Sequence, residues 1–173
     1  EEEVRQMGRV STGVKGIGLR EDDEVVDMVV VGSSDSQLLT ICENGYGKRT
    51  GQDEYPRKHR GGMGVIDIKT TDRNGPVVAC KEVLGDDEVM IVTQDGVLIR
   101  TEVGGISTVG RNTQGVRVIN LGEGDRVIDM TRVPKSEEES EVDEAAAAES
   151  ENVVNNGSEE SADSAQTPPE ESE

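Results

Sequence analysis

A stretch of about 50 residues recurs along this chain, and no other feature limits its fold so strongly. The first anchor of the repeat is a glycine followed by alternating apolar positions. It occurs as Gly13-Val14-Lys15-Gly16-Ile17-Gly18-Leu19, as Gly62-Met63-Gly64-Val65-Ile66-Asp67-Ile68, and as Gly115-Val116-Arg117-Val118-Ile119-Asn120-Leu121. The copies start 49 and then 53 residues apart, and the second, fifth and seventh positions are apolar in each. An arginine lies just upstream every time, at Arg9, Arg60 and Arg111. A second anchor falls between these: residues 37–50 read QLLTICENGYGKRT and residues 89–101 read VMIVTQDGVLIRT, with Gly45 and Gly96, Arg49 and Arg100, and Thr50 and Thr101 each 51 apart.

The second anchor predicts hairpins. Asn44-Gly45 and Asp95-Gly96 suit a two-residue type I′ turn, which needs positive φ at both central positions. Apolar runs beside acidic or glycine turns, at 22–31, 75–83 and 124–133, supply further strands, and no helical period appears between residues 1 and 133. The chain has no Trp and no Phe, and its only aromatics are Tyr46 and Tyr55, so its core is built from Val, Ile, Leu and Met. Valine-rich alternation favours pleated, half-buried surfaces over helix interiors. An all-β, propeller-type array follows, because a four-stranded unit of 40–50 residues hides its faces only by stacking on its neighbours. Two nearly complete units and the opening of a third are too few to close a ring.

Charge divides the chain in two. Residues 134–173 carry 14 acidic residues against Lys135 alone, a net of −13, whereas residues 1–133 carry 23 acidic and 17 basic residues, a net of −6. The second part, rich in Glu, Ser, Ala and Asp, is expected to be a disordered acidic tail, because it lacks the apolar surface that offsets the entropy of ordering. Overall acidity therefore does not exclude a nucleic-acid partner for the first part. Cys42 and Cys80 sit in apolar stretches outside any CxxC or Cys/His grouping and read as buried hydrophobes in a reducing compartment. No apolar run reaches the roughly 20 residues a bilayer requires. The opening EEEVRQ, neither an initiator Met nor a secretory signal, reads as a cut within a longer protein.

Two short stretches carry a family resemblance. Glu43-Asn44-Gly45-Tyr46-Gly47-Lys48-Arg49-Thr50 resembles the ENGYGKRT stretch of the C-terminal domain of the DNA gyrase A family, and Val109-Gly110-Arg111-Asn112-Thr113-Gln114-Gly115-Val116 resembles its VGRNTQGV stretch. Their order and spacing also agree, over residues 5 to about 133. The resemblance implies a six-bladed β-pinwheel, of which this chain supplies about the last three blades, and a role in wrapping duplex DNA around the rim. It also implies an enzyme whose ATP and Mg are used outside this segment, in a bacterial, cytoplasmic, nucleoid-associated setting. The implied partners within that enzyme are the gyrase B subunit, together with a second A subunit. No catalytic centre and no metal site are expected here; Tyr46 and Tyr55 read as blade residues. One departure matters: Lys58-His59-Arg60-Gly61-Gly62-Met63-Gly64 keeps only the RGG and final Gly of the family's QRRGGKG box, so it resembles the degenerate counterpart of a later blade, and wrapping by this segment alone is not implied.

Phosphates are neutralised by Lys and Arg with release of counterions. Residues 45–60 hold Lys48, Arg49, Arg57, Lys58 and Arg60 against Asp53 and Glu54, a net of +3, and form the most basic window. Arg9, Lys15, Arg100, Arg111 and Arg117 recur near the anchors. These ten residues are the candidate DNA contacts. For each taken singly, a solvated surface charge is the competing reading; the window at 48–60 as a group favours DNA contact, chiefly through the resemblance. The scarcity of aromatics argues against platforms for single strands or RNA, which stack bases on rings. His59 is the only histidine, which leaves no catalytic triad or His-rich metal site. Asp22-Asp23 and Asp86-Asp87 read as turn residues. Two other readings stay open: the matching domain of topoisomerase IV, which bends DNA, and a propeller-type scaffold for proteins. The tail in turn is a candidate DNA mimic that competes for the basic rim.

Overall fold

The computed structural model describes residues 4–134; the acidic tail, apart from Pro134, lies outside the described residues. Among the described residues, seven β-strands and two short 3-10 turns make up the regular structure. The first repeat forms the hairpin β1 (Gln37–Cys42) and β2 (Tyr46–Gly51), a 3-10 turn at Gln52–Glu54, and β3 (Val77–Val83). The second repeats that order: β4 (Glu88–Thr93), β5 (Leu98–Glu102), a 3-10 turn at Val103–Gly105, then β6 (Val116–Arg117) and β7 (Val127–Val133). All strand pairs are antiparallel, in one sheet ordered β3-β1-β2-β6 and another ordered β5-β4-β7. The two sheets keep the same register. Cys42 faces Val77 after a ladder irregularity at Ile41/Cys42, and Thr93 faces Val127 after one at Val92/Thr93.

Alternation produces the core. Along β4 every second residue is buried, so Val89 and Ile91 point inward, and Leu39 and Ile41 do so on β1. With Ala79, Val83, Val103, Ile106, Ile119, Val127 and Met130 they form one apolar cluster drawn from both sheets. Each of its Val, Leu, Ile and Met side chains contributes about 1.5–3 kcal/mol by leaving water. Strands β3 and β7 are in contact, so the sheets share this core.

The strand β6 belongs to the second repeat yet pairs with the first. Val116 lies opposite Gly47 and Arg117 opposite Tyr46, and the N–H groups of Val118 and Ile119 both donate to the Gly45 carbonyl. The glycine anchor of one repeat thus completes the hairpin of the repeat before it. Gly45 and Gly115 permit the approach, since a Cβ on Gly45 would lie 2.8 Å from the Ile119 carbonyl and one on Gly115 would lie 2.6 Å from the Gly47 carbonyl.

Three sequence expectations are corrected. The hairpin loops hold three residues rather than two. The Gly45 N–H donates to Cys42 O and the Gly96 N–H to Thr93 O, both at 3.1 Å, and only the glycines take positive φ, at 78° and 81°. This is a type I turn closed by a left-handed glycine, which Asn-Gly and Asp-Gly serve as well as they serve type I′. The repeat also divides differently: each unit opens with its hairpin, so the partial unit is at residues 4–32. Finally, residues 22–31 form no strand, although they match β3 and β7 in sequence. Each of those strands pairs with the hairpin ahead of it in its own repeat, and none precedes residues 22–31 among the described residues. The segment is tied down instead by Asp27, which accepts from Lys81 Nζ at 2.8 Å and from the Cys80 N–H at 3.2 Å.

Candidate nucleic-acid interface

The basic window divides into a buried half and an exposed half. Pleating sends Tyr46, Lys48 and Thr50 of β2 inward together. Lys48 is wholly buried, and its ammonium donates to Asp67 O at 2.7 Å and Gly110 O at 2.9 Å, with the Asp67 carboxylate at 3.7 Å. Desolvation lowers its pKa, against the pull of Asp67. Lys48 is therefore an internal strut between two repeats and is withdrawn from the set of surface contacts. Arg49, half-buried, is spent in the same way: Nε donates to Ile106 O at 2.6 Å and Nη2 to Gly104 O at 3.1 Å.

After the 3-10 turn the chain swings outward. Tyr55 anchors the swing by donating its hydroxyl to Asp67, and burial followed by that contact pushes its phenol well above the usual range. Beyond Tyr55, residues Arg57, Lys58, His59 and Arg60 are all exposed. Backbone bonds from Gly61 N to Gly16 O (2.6 Å) and from Gly18 N to Gly62 O (2.8 Å) lay this loop against residues 15–18, which brings exposed Lys15 alongside Arg60. Arg60 Nη1 donates to the Lys15 carbonyl at 3.5 Å. Four cations on one pair of adjoining loops, with Gly61, Gly62 and Gly64 beside them, suit the close approach of a phosphate backbone.

The other candidates are dispersed. Arg9 is exposed near the Gly8–Ser11 turn. Arg100 is exposed on β5 and ion-paired with Glu88. Arg111 is half-buried, donating to Ile66 O at 2.9 Å, with its guanidinium 5.9 Å from the Tyr55 ring. Arg117 is exposed on β6 and donates to the Tyr46 hydroxyl at 2.7 Å. Five exposed cations escaped the sequence reading: Arg5, Arg20, Lys69, Arg73 and Arg126, the last paired with Glu43 at 3.1 Å. They stand outside the dense window, and no spacing rule singles them out. The turn acids behave as read. Asp87 is buried, accepts from Leu84 N at 2.6 Å and pairs with Arg132 at 2.6 Å.

The sequence model of the family described as DNA gyrase C-terminal domain, beta-propeller, matches residues 1–32, 36–83 and 87–134, the same division into one partial and two full repeats. The chain is 48% identical over 143 residues to the A subunit of DNA gyrase from Salmonella typhimurium, covering 83% of this chain and 16% of that protein. It is 46% identical over 156 residues to its counterpart from Escherichia coli K12, covering 89% and 18%. Less than a fifth of either relative is thus represented. Among solved structures, a DNA gyrase A C-terminal domain superposes with TM-score 0.69 at 31% identity, over 75% of this chain and 44% of that one. The C-terminal domain of DNA topoisomerase IV superposes with TM-score 0.72 at 25% identity, over 86% and 46%.

Proposed function

Because this chain belongs to the DNA gyrase C-terminal domain family, we propose that residues 4–134 bind duplex DNA through its backbone and bend it along their basic surface. In this reading the segment helps gyrase A wrap DNA for ATP-dependent negative supercoiling. Catalysis, ATP and Mg belong to other parts of that enzyme. Its assembly partners in the bacterial cytoplasm are the gyrase B subunit, together with a second A subunit. The observation that carries the reading is the pair of adjoining loops bearing Lys15, Arg57, Lys58 and Arg60, exposed and in contact through their backbones. Contacts of this kind recognise phosphate geometry and DNA deformability rather than base edges.

The test is binding of mixed-sequence duplexes across a salt series. Wild type should bind tightly at low salt and lose affinity steeply as salt rises, and R57A/K58A/R60A should flatten that dependence by about 0.9 in log–log slope for each phosphate no longer neutralised. Absence of duplex affinity at low salt would end this reading. The topoisomerase IV domain is as similar in shape, but sequence identity favours gyrase A. Topological assays of the intact enzyme separate the two, since wrapping fixes the hand of the crossing and simple bending does not. A protein-binding scaffold is separated by competition, because added duplex should leave its partners in place.

A further inference from the structure

At the seam where the second repeat completes the first, three side chains from three separate stretches converge. Tyr46 opens β2, Arg73 sits in the loop before β3, and Arg117 lies on β6. The Tyr46 ring is 7% exposed, with the Arg73 guanidinium 4.6 Å and the Arg117 guanidinium 5.2 Å from its centroid. Arg117 Nη2 also donates to the Tyr46 hydroxyl at 2.7 Å. Both arginines are exposed, and their other partners are neutral: Arg73 Nη1 donates to Gln114 Oε1 at 3.4 Å and Arg117 Nη1 to Asn120 Oδ1 at 3.2 Å. Among the described residues no carboxylate pairs with either arginine.

The loop carrying Arg73 is built with care. Asn74 is fully buried; its Oδ1 accepts from Thr71 N and Oγ1, and its Nδ2 donates to Lys69 O at 3.1 Å and Gln114 O at 3.2 Å. Asn44 Nδ2 donates to Asp72 O at 3.1 Å and Arg73 O at 3.2 Å. The Arg73 backbone is thereby fixed both to the hairpin turn and to the approach of β6. Two like charges held against one ring without a counter-ion repel each other. They form a stable group once an anion with two acceptor oxygens lies between them, and a planar guanidinium meets such an anion with paired N–H donors.

We propose that Arg73, Tyr46 and Arg117 form a clamp for one phosphodiester of duplex DNA at the seam between consecutive repeats. This rests on the duplex-binding reading above and adds a contact outside the basic loop. The second repeat has no such clamp, since Val97 stands where its tyrosine would be, 51 residues after Tyr46. Contact is then uneven along the blades, with the first repeat holding the backbone most firmly.

The experiment is the salt series on the full chain with R73A/R117A and with K81A, whose cation is already paired with Asp27. R73A/R117A should reduce the log–log salt slope by about 1.8, at about 0.9 per cation removed, and K81A should leave it as in wild type. A second measurement needs no substitution. Arg73 and then Arg117 hold the Tyr46 phenol below its ordinary range, so a saturating duplex that draws the guanidiniums away should raise its titration midpoint. A folded R73A/R117A with the wild-type slope, or a Tyr46 midpoint indifferent to duplex, overturns the clamp while leaving duplex binding intact. Loss of all duplex affinity in wild type overturns the underlying reading, and the clamp with it.

Discussion

An ammonium sealed inside a protein cannot meet a phosphate that arrives from solvent, and Lys48 is such a group. K48A leaves two backbone carbonyls without their donor, so it should lower stability by about 3 kcal/mol in urea denaturation. The salt slope of duplex binding by the protein that remains folded should be that of wild type. The inward direction of Lys48 was legible in principle, since period-2 alternation places it on the face of Tyr46 and Thr50. Charge count alone grouped it with the surface residues Arg57, Lys58 and Arg60. Arg73 had no comparable signal, because only the folded seam brings it to Tyr46. The cysteines give a pH prediction. Burial raises the Cys42 thiol from 9.0 to about 11. A raised folded-state pKa stabilises fully below the ordinary value and fades as pH climbs through the folded one. Stability should therefore fall by on the order of 2 kcal/mol between about pH 9 and 11, as read from urea midpoints, and Cys42 should resist alkylation at pH 8 until the protein is unfolded.

Hairpins were the most legible elements. The turn pairs Asn44-Gly45 and Asp95-Gly96 locate both, because only a glycine there avoids a steric conflict at positive φ. Loop length was less legible, since the same dipeptides serve a two-residue and a three-residue loop. Strand β6 could not be read as a partner of β2, because the pairing joins residues about 70 apart and only two residues of each strand take part. The two repeats also use glycine differently. A Cβ on Gly45 meets the Ile119 carbonyl at 2.8 Å, whereas its counterpart Gly96 faces open space. G45A should cost about 2–3 kcal/mol by forcing Val118 and Ile119 off the hairpin. G96A should cost only about 1 kcal/mol, the strain of its left-handed backbone. Thermal melts of the two variants compare these directly, and equal losses would contradict the seam.

At the scale of the molecule, the anchor glycines locate an unmet interface. Ile119, in the last copy of the glycine anchor, is 6% exposed beneath the first hairpin, whereas its counterpart Ile66, 53 residues earlier, is 56% exposed, with Met63 at 60%. Val25, Val26, Met28, Val30 and Val31, in the segment ahead of the first hairpin, are exposed apolar side chains as well. That such units stack was legible in the repeat; the face left bare was not, because apolar positions read alike whether covered or not. Charge gives the prediction at this scale. Residues 135–173 hold the chain's greatest excess of acid, and as a tethered polyanion they would occupy the same cations as a DNA backbone. Removing them should tighten duplex binding at low salt, with the gain shrinking as salt rises; affinity unchanged at every salt concentration would contradict this.

Strand β6 has a mechanical consequence as well. Since the second repeat closes the first sheet, pulling on the chain ends loads a shared ladder rather than two separate folds. Extracting either repeat strips a strand or a seam from the other, so the roughly 50-residue units do not give way one by one. Under the duplex-binding proposal, a DNA segment bent over this surface would press on two coupled repeats rather than on separable units.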